Sequence, residues 1–254
     1  MTTVRVPCVV AAEAAATTQG ELARQGTVAA CLGLADVSGA ARWGCKGPGT
    51  AAWMQTLGLP LAPEPNSWRP LQGSGLIARL GFTEYLVDGP PELIDRLEAT
   101  PRCAGVYPVL RQDAALLLGG SRLDDLLRET CSVDFRPFFA SASAIAQQAE
   151  APAGMAQGDG SQPTTAAGNP GVSLNRSVVI TSMVGVGVTV IPEWRAGRAV
   201  CRIWCDGTYG HYLWHTLLDI ATSLGGGAVA PHDLMDGPDF QETSYDLTTC
   251  GARS

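Results

Sequence analysis

A long segment with almost no large apolar side chains divides the patterned part of the sequence in two. Residues 147–175 consist almost entirely of alanine, glycine, proline, glutamine, serine and threonine. A segment of this composition cannot bury a hydrophobic core of its own. We therefore expect a flexible insertion over 147–176, so that the folded body combines an N-terminal part, 1–146, with a C-terminal part, 177–230. The last segment, 231–254, has no regular pattern and predicts an irregular tail.

The two patterned parts together carry enough apolar sequence for a substantial core. The chain has 254 residues, of which 46% are hydrophobic and 16% are charged, and this suits one large domain or two small domains packed together. Its net charge is −7. An acidic chain offers no broad positive field to a phosphate backbone, so we expect no nucleic acid among its partners.

The sequence predicts neither a membrane-spanning helix nor a secretory signal. The longest uncharged stretch, 47–63, contains three prolines and is shorter than the ~20 apolar residues that a spanning helix needs. The apolar run at 6–10 is too short for the core of a secretory signal. We therefore predict a cytoplasmic protein without a membrane span, in which the eight cysteines stay reduced.

Helical and strand patterns alternate along the chain. The sequence predicts helices over 11–30, 50–57, 91–98, 122–130 and 209–224, with Ser121 as the N-cap of the fourth. It predicts strands over 41–45, within 75–87 and 106–118, over 178–191 with a turn at 184–187, and over 200–205. Residues 60–70 contain four prolines and predict a loop. Helices that lie against antiparallel sheet define the α+β class.

Two cysteines and two histidines follow one another at short spacing in the C-terminal part. Cys201 and Cys205 share one face of a predicted strand, where they would lie ~13 Å apart. Zinc ligands lie ~2.3 Å from their ion, so these two thiols cannot share one. His211 and His215 stand one helical turn apart, which leaves a two-histidine site conceivable. We nevertheless predict no metal ion, with the cysteines in the core and the histidines on the surface.

The sequence contains no complete catalytic motif. Its three histidines all follow residue 210, and neither Gly-x-Ser-x-Gly nor Gly-x-Gly-x-x-Gly occurs. We therefore predict no catalytic residue.

A short polar and aromatic segment follows the predicted strand that ends at residue 191. Glu193, Trp194, Arg195 and Arg198 place a carboxylate, an indole and two guanidinium groups in a predicted loop, and Tyr209 follows at the start of a helix. Such a loop can hold a planar polar heterocycle, anchor a protein interface, or be a plain exposed hairpin. Trp194 lies between opposite charges, and we expect it to be exposed.

Short motifs along the chain resemble those of the glycine-cleavage T-protein family. Gly-Leu-Ala-Asp-Val-Ser-Gly at 33–39 and Gly-Cys-Lys-Gly-Pro-Gly-Thr-Ala-Ala-Trp at 44–53 are similar to the opening strand, Gly-Pro-Gly turn and helix of that family. Later segments resemble the gamma subunit of heterotetrameric sarcosine oxidase, a relative in the same superfamily, at 59–66, 111–120, 129–135 and 212–214. The resemblance extends over residues 25–146 and 177–227.

The resemblance implies a fold of two interlocked halves, each an antiparallel sheet with helices, and makes tetrahydrofolate the candidate cofactor. T-proteins use an aspartate in a Gly-Gly-x-x-Asp-Asp segment to assist methylene transfer to tetrahydrofolate. Ala78 and Arg79 stand at the matching positions here, so the resemblance implies that this chemistry is lost. In the region equivalent to the pterin-binding segment, Glu193 is the one carboxylate that could face the pterin.

The resemblance predicts a non-catalytic, sarcosine-oxidase-gamma-like subunit of a larger amine-oxidising or folate-linked one-carbon complex. Its partners would be flavoprotein chains that carry out the oxidation. We expect Glu193, Trp194, Arg195, Arg198 and Tyr209 either to bind folate or to contact a partner. One alternative is a folate-dependent aminomethyltransferase. Another is a folate-binding accessory protein of the iron–sulfur maintenance type, whose Lys-Gly-Cys-Tyr-x-Gly-Gln-Glu motif is absent.

Overall fold

A computed structural model describes residues 19–71, 73, 75–150, 176–195 and 197–235. The predicted insertion from 151 to 175 and the tail beyond 235 lie outside these residues. The helices are α1 (Gln19–Leu32), α2 (Thr50–Thr56), α3 (Pro91–Ala99), α4 (Leu123–Thr130), α5 (Arg136–Glu150), α6 (Gly210–Ser223) and α7 (His232–Met235). The strands are β1 (Gly33–Asp36), β2 (Arg42–Lys46), β3 (Ser67–Pro70), β4 (Leu76–Arg79), β5 (Glu84–Asp88), β6 (Tyr107–Val109), β7 (Ala114–Gly119), β8 (Val179–Met183), β9 (Val186–Arg195), β10 (Arg198–Cys205) and β11 (Gly227–Ala228).

Two sheets form the centre of the fold. The larger has six strands in the order β11-β1-β7-β10-β9-β8, and the smaller has five in the order β3-β4-β5-β2-β6. Strands β1 and β11 are parallel, and the other pairs are antiparallel. The larger sheet takes strands from both sides of 151–175, whereas the smaller is built from the chain between β1 and β7. The α+β prediction is therefore confirmed.

The two sheets pack face to face, and helices cover their outer faces. Trp68, Leu76 and Leu86 of the smaller sheet form one buried cluster with Ile191 and Trp204 of the larger. The outer face of the larger sheet packs on α4, α5 and α6, and that of the smaller packs on α2 and α3. Successive side chains of a strand face opposite sides, so a strand covered on both sides is apolar throughout. Strand β7, with all six residues buried, is the clearest case.

The ends and faces of the helices follow from local sequence. Helix α3 begins at Pro91, whose missing N–H falls in the first turn, where no intrahelical acceptor is available. Leu213 and Leu217 of α6 are buried as the predicted stripe requires, together with Ala221. Gly225 adopts a φ of 85° just after α6 and ends it, as predicted.

Two local features differ from the predictions. Residues 67–70 form strand β3 within the predicted loop, and Pro70 is tolerated because β3 lies at the edge of its sheet. Ser121 does not cap α4. Its hydroxyl donates to the carbonyl of Cys31 instead, and Arg122 occupies the N-cap position.

Two helices occur where the sequence predicts none. Phe135 and Phe139, at helical spacing, are buried against the larger sheet at the start of α5. The last residues of α5, 147–150, are helical, although we expected the insertion to begin at residue 147. Helix α7 opens the segment that we predicted as an irregular tail. Within the described ranges, no helix has the length and apolar character needed to cross a bilayer.

The turn before α2 requires glycine at position 47. Gly47 has a φ of +122°, and a Cβ on it would lie 2.2 Å from the carbonyl oxygen of Gly105. Gly47→Ala should therefore lower the free energy of unfolding by about 1–3 kcal/mol. Gly39→Ala is the control, because a Cβ there meets no atom within 4 Å. Urea denaturation measures both, and equal losses would contradict the turn geometry.

Candidate functional site

The predicted loop at 192–198 is in fact part of a tight hairpin. Strand β9 continues through residues 192–195 and β10 begins at Arg198, so the two strands stay paired up to the turn. Proline has no N–H to donate to a neighbouring strand. Pro192 is tolerated in β9 because β8 pairs with β9 only as far as Val190, before this residue. The loop prediction is therefore wrong, and the side chains of this segment alternate between the two faces of the larger sheet.

Glu193 lies in a buried ion cluster between the two sheets. Arg195 Nε donates to Glu193 Oε2 over 2.7 Å, and Arg202 Nε donates to Glu193 Oε1 over 2.6 Å. Arg202 Nη1 also lies 3.4 Å from Oδ2 of Asp88, the last residue of β5. The four side chains are at most 10% exposed. The cluster therefore joins the larger sheet to the smaller through charged groups that water does not solvate.

Opposite charges in this cluster compensate for burial. Burial alone would raise the pKa of Glu193, but the charges of Arg202 and Arg195 outweigh it and lower that pKa. Burial alone would lower the pKa of Arg202, but Glu193 and Asp88 raise it. For Arg195 burial prevails, and its pKa falls. The shifts of Glu193 and Arg202 thus both favour their charged forms.

The other predicted site residues do not join this cluster. Trp194 faces the opposite side of the sheet and is half-buried, not exposed as we expected. Arg198 Nη2 donates to the main-chain carbonyl of Asp233 in α7. Tyr209 is exposed beyond the far end of β10, at the start of α6. The structure thus brings together Glu193 and Arg195 and separates the other three from them.

Sequence analysis missed Arg202 and Asp88. Each is a charged residue within or at the end of an otherwise apolar strand. Such a position is costly unless an opposite charge lies within reach, so both residues carried a signal of a buried ion pair. Their partners could not be named, because the packing of one sheet on the other is not visible in the sequence.

The residues that the resemblance assigns to folate chemistry do not fit tetrahydrofolate in this arrangement. Ala78 is completely buried between the sheets. Arg79 donates to the main-chain carbonyls of Gly81, Phe82 and Pro63, so it secures the β4–β5 connection. Both carboxylate oxygens of Glu193 are held by guanidinium groups, and a pterin would reach them only if the sheets separated.

A cleft opens between the sheets at the end opposite to the ion cluster. Its volume is about 270 Å³, slightly below the ~300–1,000 Å³ of typical small-molecule pockets. Trp204 and Thr189 are paired residues of β10 and β9 in its wall. Thr189 is four residues from Glu193 along β9, which corresponds to ~13 Å between the two residues. The complete lining is Leu80, Leu86, Arg111, Asp113, Ile180, Thr181, Gly187, Val188, Thr189, Trp204, Cys205 and Asp206.

Several exposed apolar side chains lie in the segments that line this cleft or close to those segments in the chain. Ile180 lines the cleft. Phe82 lies two residues after Leu80, and Leu110 directly precedes Arg111; Leu80 and Arg111 both line the cleft. Tyr107 lies opposite Lys46, which in turn lies opposite Glu84 near Phe82. We call this set the apolar rim, and with the two tyrosines of the neighbouring helical segment it comprises Phe82, Tyr107, Leu110, Ile180, Tyr209 and Tyr212.

The helical side of the apolar rim is fixed to the β8–β9 hairpin. Tyr212 donates from its hydroxyl to the carbonyl of Val184 over 3.2 Å. Tyr209 follows Asp206, which lines the cleft. On the other side, Arg111 Nη2 pairs with Glu84 Oε1 at 2.8 Å. All six exposed large apolar side chains of the described residues are therefore carried by segments that line the cleft or connect to them.

The cysteines near α6 belong to the core. Cys201 and Cys205 are buried against the helices on the outer face of the larger sheet. Burial raises the pKa of Cys201 well above its ordinary value, so this thiol stays protonated. Among the residues that the structure describes, no three or more His, Cys, Asp or Glu side chains are grouped as metal ligands.

Solved structures with the same fold are found at low sequence identity. A chain of the heterotetrameric sarcosine oxidase from Corynebacterium sp. U-96, in complex with pyrrole 2-carboxylate, matches with a TM-score of 0.53 and 19% identity. The match covers 80% of this chain and 89% of that chain. No protein-family profile and no curated protein matches the sequence.

The second match is to the glycine cleavage system aminomethyltransferase T from Bartonella henselae. Its TM-score is 0.51 and its identity is 14%, over 82% of this chain and 50% of that chain. The chain thus spans about half the length of the aminomethyltransferase. Together the two matches establish the fold, with two antiparallel-rich sheets and helices, that the resemblance implied.

The ion cluster makes a prediction about stability. Arg202→Met leaves Glu193 and Asp88 buried without their shared positive charge, so it should lower the free energy of unfolding by about 3–5 kcal/mol. Arg128→Met is the matched control, because it breaks a solvent-exposed pair with Asp124 and should cost about 1 kcal/mol or less. Chemical denaturation of both variants gives the comparison. A loss for Arg202→Met no larger than for Arg128→Met would contradict the assigned role.

The same cluster predicts a pH dependence. The pKa of Glu193 is lowered by folding, so its contribution to stability is present above the ordinary carboxyl pKa and is lost as the pH falls through the folded-state pKa. The stability difference between wild type and Glu193→Gln should shrink when the pH is lowered from about 7 to about 3. Denaturation at both pH values measures it. A difference that grows on acidification would mean that the pKa of Glu193 is raised.

Proposed function

We propose that this chain is a non-catalytic subunit of a larger amine-oxidising complex, with a role like that of the gamma subunit of heterotetrameric sarcosine oxidase. The observation that carries the proposal is the apolar rim. Six exposed large apolar side chains, on segments that line the cleft or connect to them, offer a surface that a partner protein would bury. A structural match that is itself a chain of a heterotetrameric oxidase supports a subunit role.

The partner in this proposal is a flavoprotein chain that carries out the oxidation. Protein interfaces combine an apolar centre with polar groups at its margin. The apolar rim supplies the first, and the Arg111–Glu84 pair, Asp206 and Lys46 beside it supply charges of both signs. Tyr209, one of the interface candidates from the sequence, lies in the apolar rim.

In this proposal the partner carries out the chemistry, because residues 78 and 79 of this chain are not acidic. A buried Ala78 and a carbonyl-bound Arg79 replace the acidic pair that the T-protein family uses. The alternatives are a folate-dependent aminomethyltransferase and a folate-binding accessory protein. Either would need tetrahydrofolate to bind outside the residues that the resemblance assigns, and the cleft is the concave surface that could receive its ring.

Capture of the native complex tests the subunit role. The full chain, tagged and expressed in the cells that normally make it, should co-purify with a protein that carries flavin absorbance. The triple variant Phe82→Ser, Leu110→Ser, Ile180→Ser should weaken that association by at least about 2 kcal/mol, roughly 30-fold. Glu98→Ser, exposed on α3 away from the apolar rim, is the control and should retain the partner.

Three outcomes of this capture would contradict the proposal. A triple variant that is folded, by its thermal midpoint, and still binds the flavoprotein would exclude the apolar rim as the interface. Loss of the partner in Trp194→Ala alone would move the interface to the β9–β10 hairpin. A chain that recovers no flavoprotein from its own cells would remove the subunit role altogether.

An assay of the purified chain separates the subunit from the enzyme. With tetrahydrofolate and an aminomethyl donor, we expect no turnover above background, because Arg79 stands where the assisting carboxylate would be. Thermal denaturation with and without tetrahydrofolate, on wild type and Trp194→Ala, measures folate binding separately. Turnover that Arg79→Ala leaves unchanged would favour the aminomethyltransferase. Folate-dependent stabilisation without turnover would favour the accessory protein.

A further inference from the structure

Two histidines on α6 have their ring nitrogens in the geometry of a chelate. His211 and His215 are exposed and one turn apart, and their Nε2 atoms are 3.1 Å from each other. Their ring centroids are 4.3 Å apart with an interplanar angle of 54°. The Nε2 atoms of the two rings thus face each other on the exposed side of the helix.

The nitrogen separation agrees with the bonds of a transition-metal ion. Zinc–imidazole bonds are about 2.0–2.1 Å long. Two such bonds to nitrogens 3.1 Å apart enclose an angle of about 100° at the ion. This angle lies between those of octahedral and tetrahedral coordination, so the separation of the two nitrogens suits an ion bound to both.

We propose that His211 and His215 form a two-histidine site for a divalent transition ion of the zinc, nickel and copper class. Imidazole nitrogen suits these ions, whereas Mg²⁺ and Ca²⁺ prefer oxygen ligands. The site lies in the first half of α6, where the helix contributes partial positive charge. The affinity must therefore come from the two nitrogen–metal bonds and not from electrostatic attraction. This requirement also favours borderline ions over hard ones.

Both histidines are exposed, so the remaining coordination positions of the ion would be open to solvent. Within the described part of the chain, no third His, Cys, Asp or Glu completes the set. Water or a ligand from outside this chain would fill those positions. The same nitrogen separation would also fit a direct hydrogen bond between the rings, which requires both to be neutral and to carry their protons on different nitrogens.

Metal titration of the untagged full chain distinguishes the two arrangements. The protein is freed of metal with a chelator and held in a thiol-free reductant, with Cys103→Ser as the background because Cys103 is an exposed thiol. Calorimetry with Ni²⁺ should show one site per chain. Loss of a residue that only orients a metal ligand lowers the metal affinity by about 10–100-fold. Loss of a ligand itself should cost at least as much, so His211→Ala and His215→Ala should each weaken binding by at least about tenfold.

The third histidine supplies the matched control. His232→Ala should leave the affinity unchanged, because His232 lies on α7 and not beside the pair. Copper should bind more tightly than nickel, following the usual order of stability for these ions. Nitrogen-15 spectra should show that both rings acquire the same tautomer on binding, with Nε2 bound to the ion.

Three results would overturn the site. Equal nickel affinity in wild type and in the His211→Ala, His215→Ala double variant would place the ion elsewhere. Loss of affinity in His232→Ala would do the same. Two rings that keep different tautomers at saturating Ni²⁺ would show that the hydrogen bond, and not a metal ion, joins them. None of these results bears on the subunit role, which the capture of a flavoprotein tests independently.

Discussion

The contact of Arg202 with Glu193 and Asp88 is the interaction on which the arrangement of the two sheets depends. Apolar surfaces alone permit many ways of packing one sheet on another, because the hydrophobic effect has no direction. Charges buried at the interface remove that freedom, since each must meet its partner or remain at high free energy. We infer that this cluster selects the alignment in which β10 crosses β5, with the apolar residues of the two facing sheets filling the space beside it.

The same alignment gives the two ends of the sheet interface different character. At one end Glu193, Arg195, Arg202 and Asp88 occupy the space between the sheets with paired charges. At the other end the sheets diverge around the cleft, and the connections there expose the apolar rim. Glu193 and Arg195, which first suggested a ligand site, belong to the charged end of this interface and not to the cleft.

The sequence predicts the elements of this protein better than its site. Strong periodicity located α6, β7 and the β8–β9 hairpin, because a stripe of apolar residues must face a core whatever the fold. Proline-rich and short elements such as β3 were missed, since their stability comes from neighbouring strands. The site prediction weighted a local window around Glu193, and this window contains its partner Arg195. Its other partner is Arg202, across the hairpin, which in turn contacts Asp88 on the other sheet. Nothing in a linear pattern brings Phe82, Leu110 and Ile180 to one surface.

Hydrogen–deuterium exchange on the free chain and on the native complex tests most directly whether the end that carries the cleft is the partner surface. Amides in the connections around the cleft, at 80–84, 107–111 and 206–212, are predicted to exchange more slowly in the complex. Those of α3, on the outer face of the smaller sheet, should not change. Protection confined to the β9–β10 hairpin at 193–198, or to α2 and α3, would show that the partner binds elsewhere and that the apolar rim is not its interface.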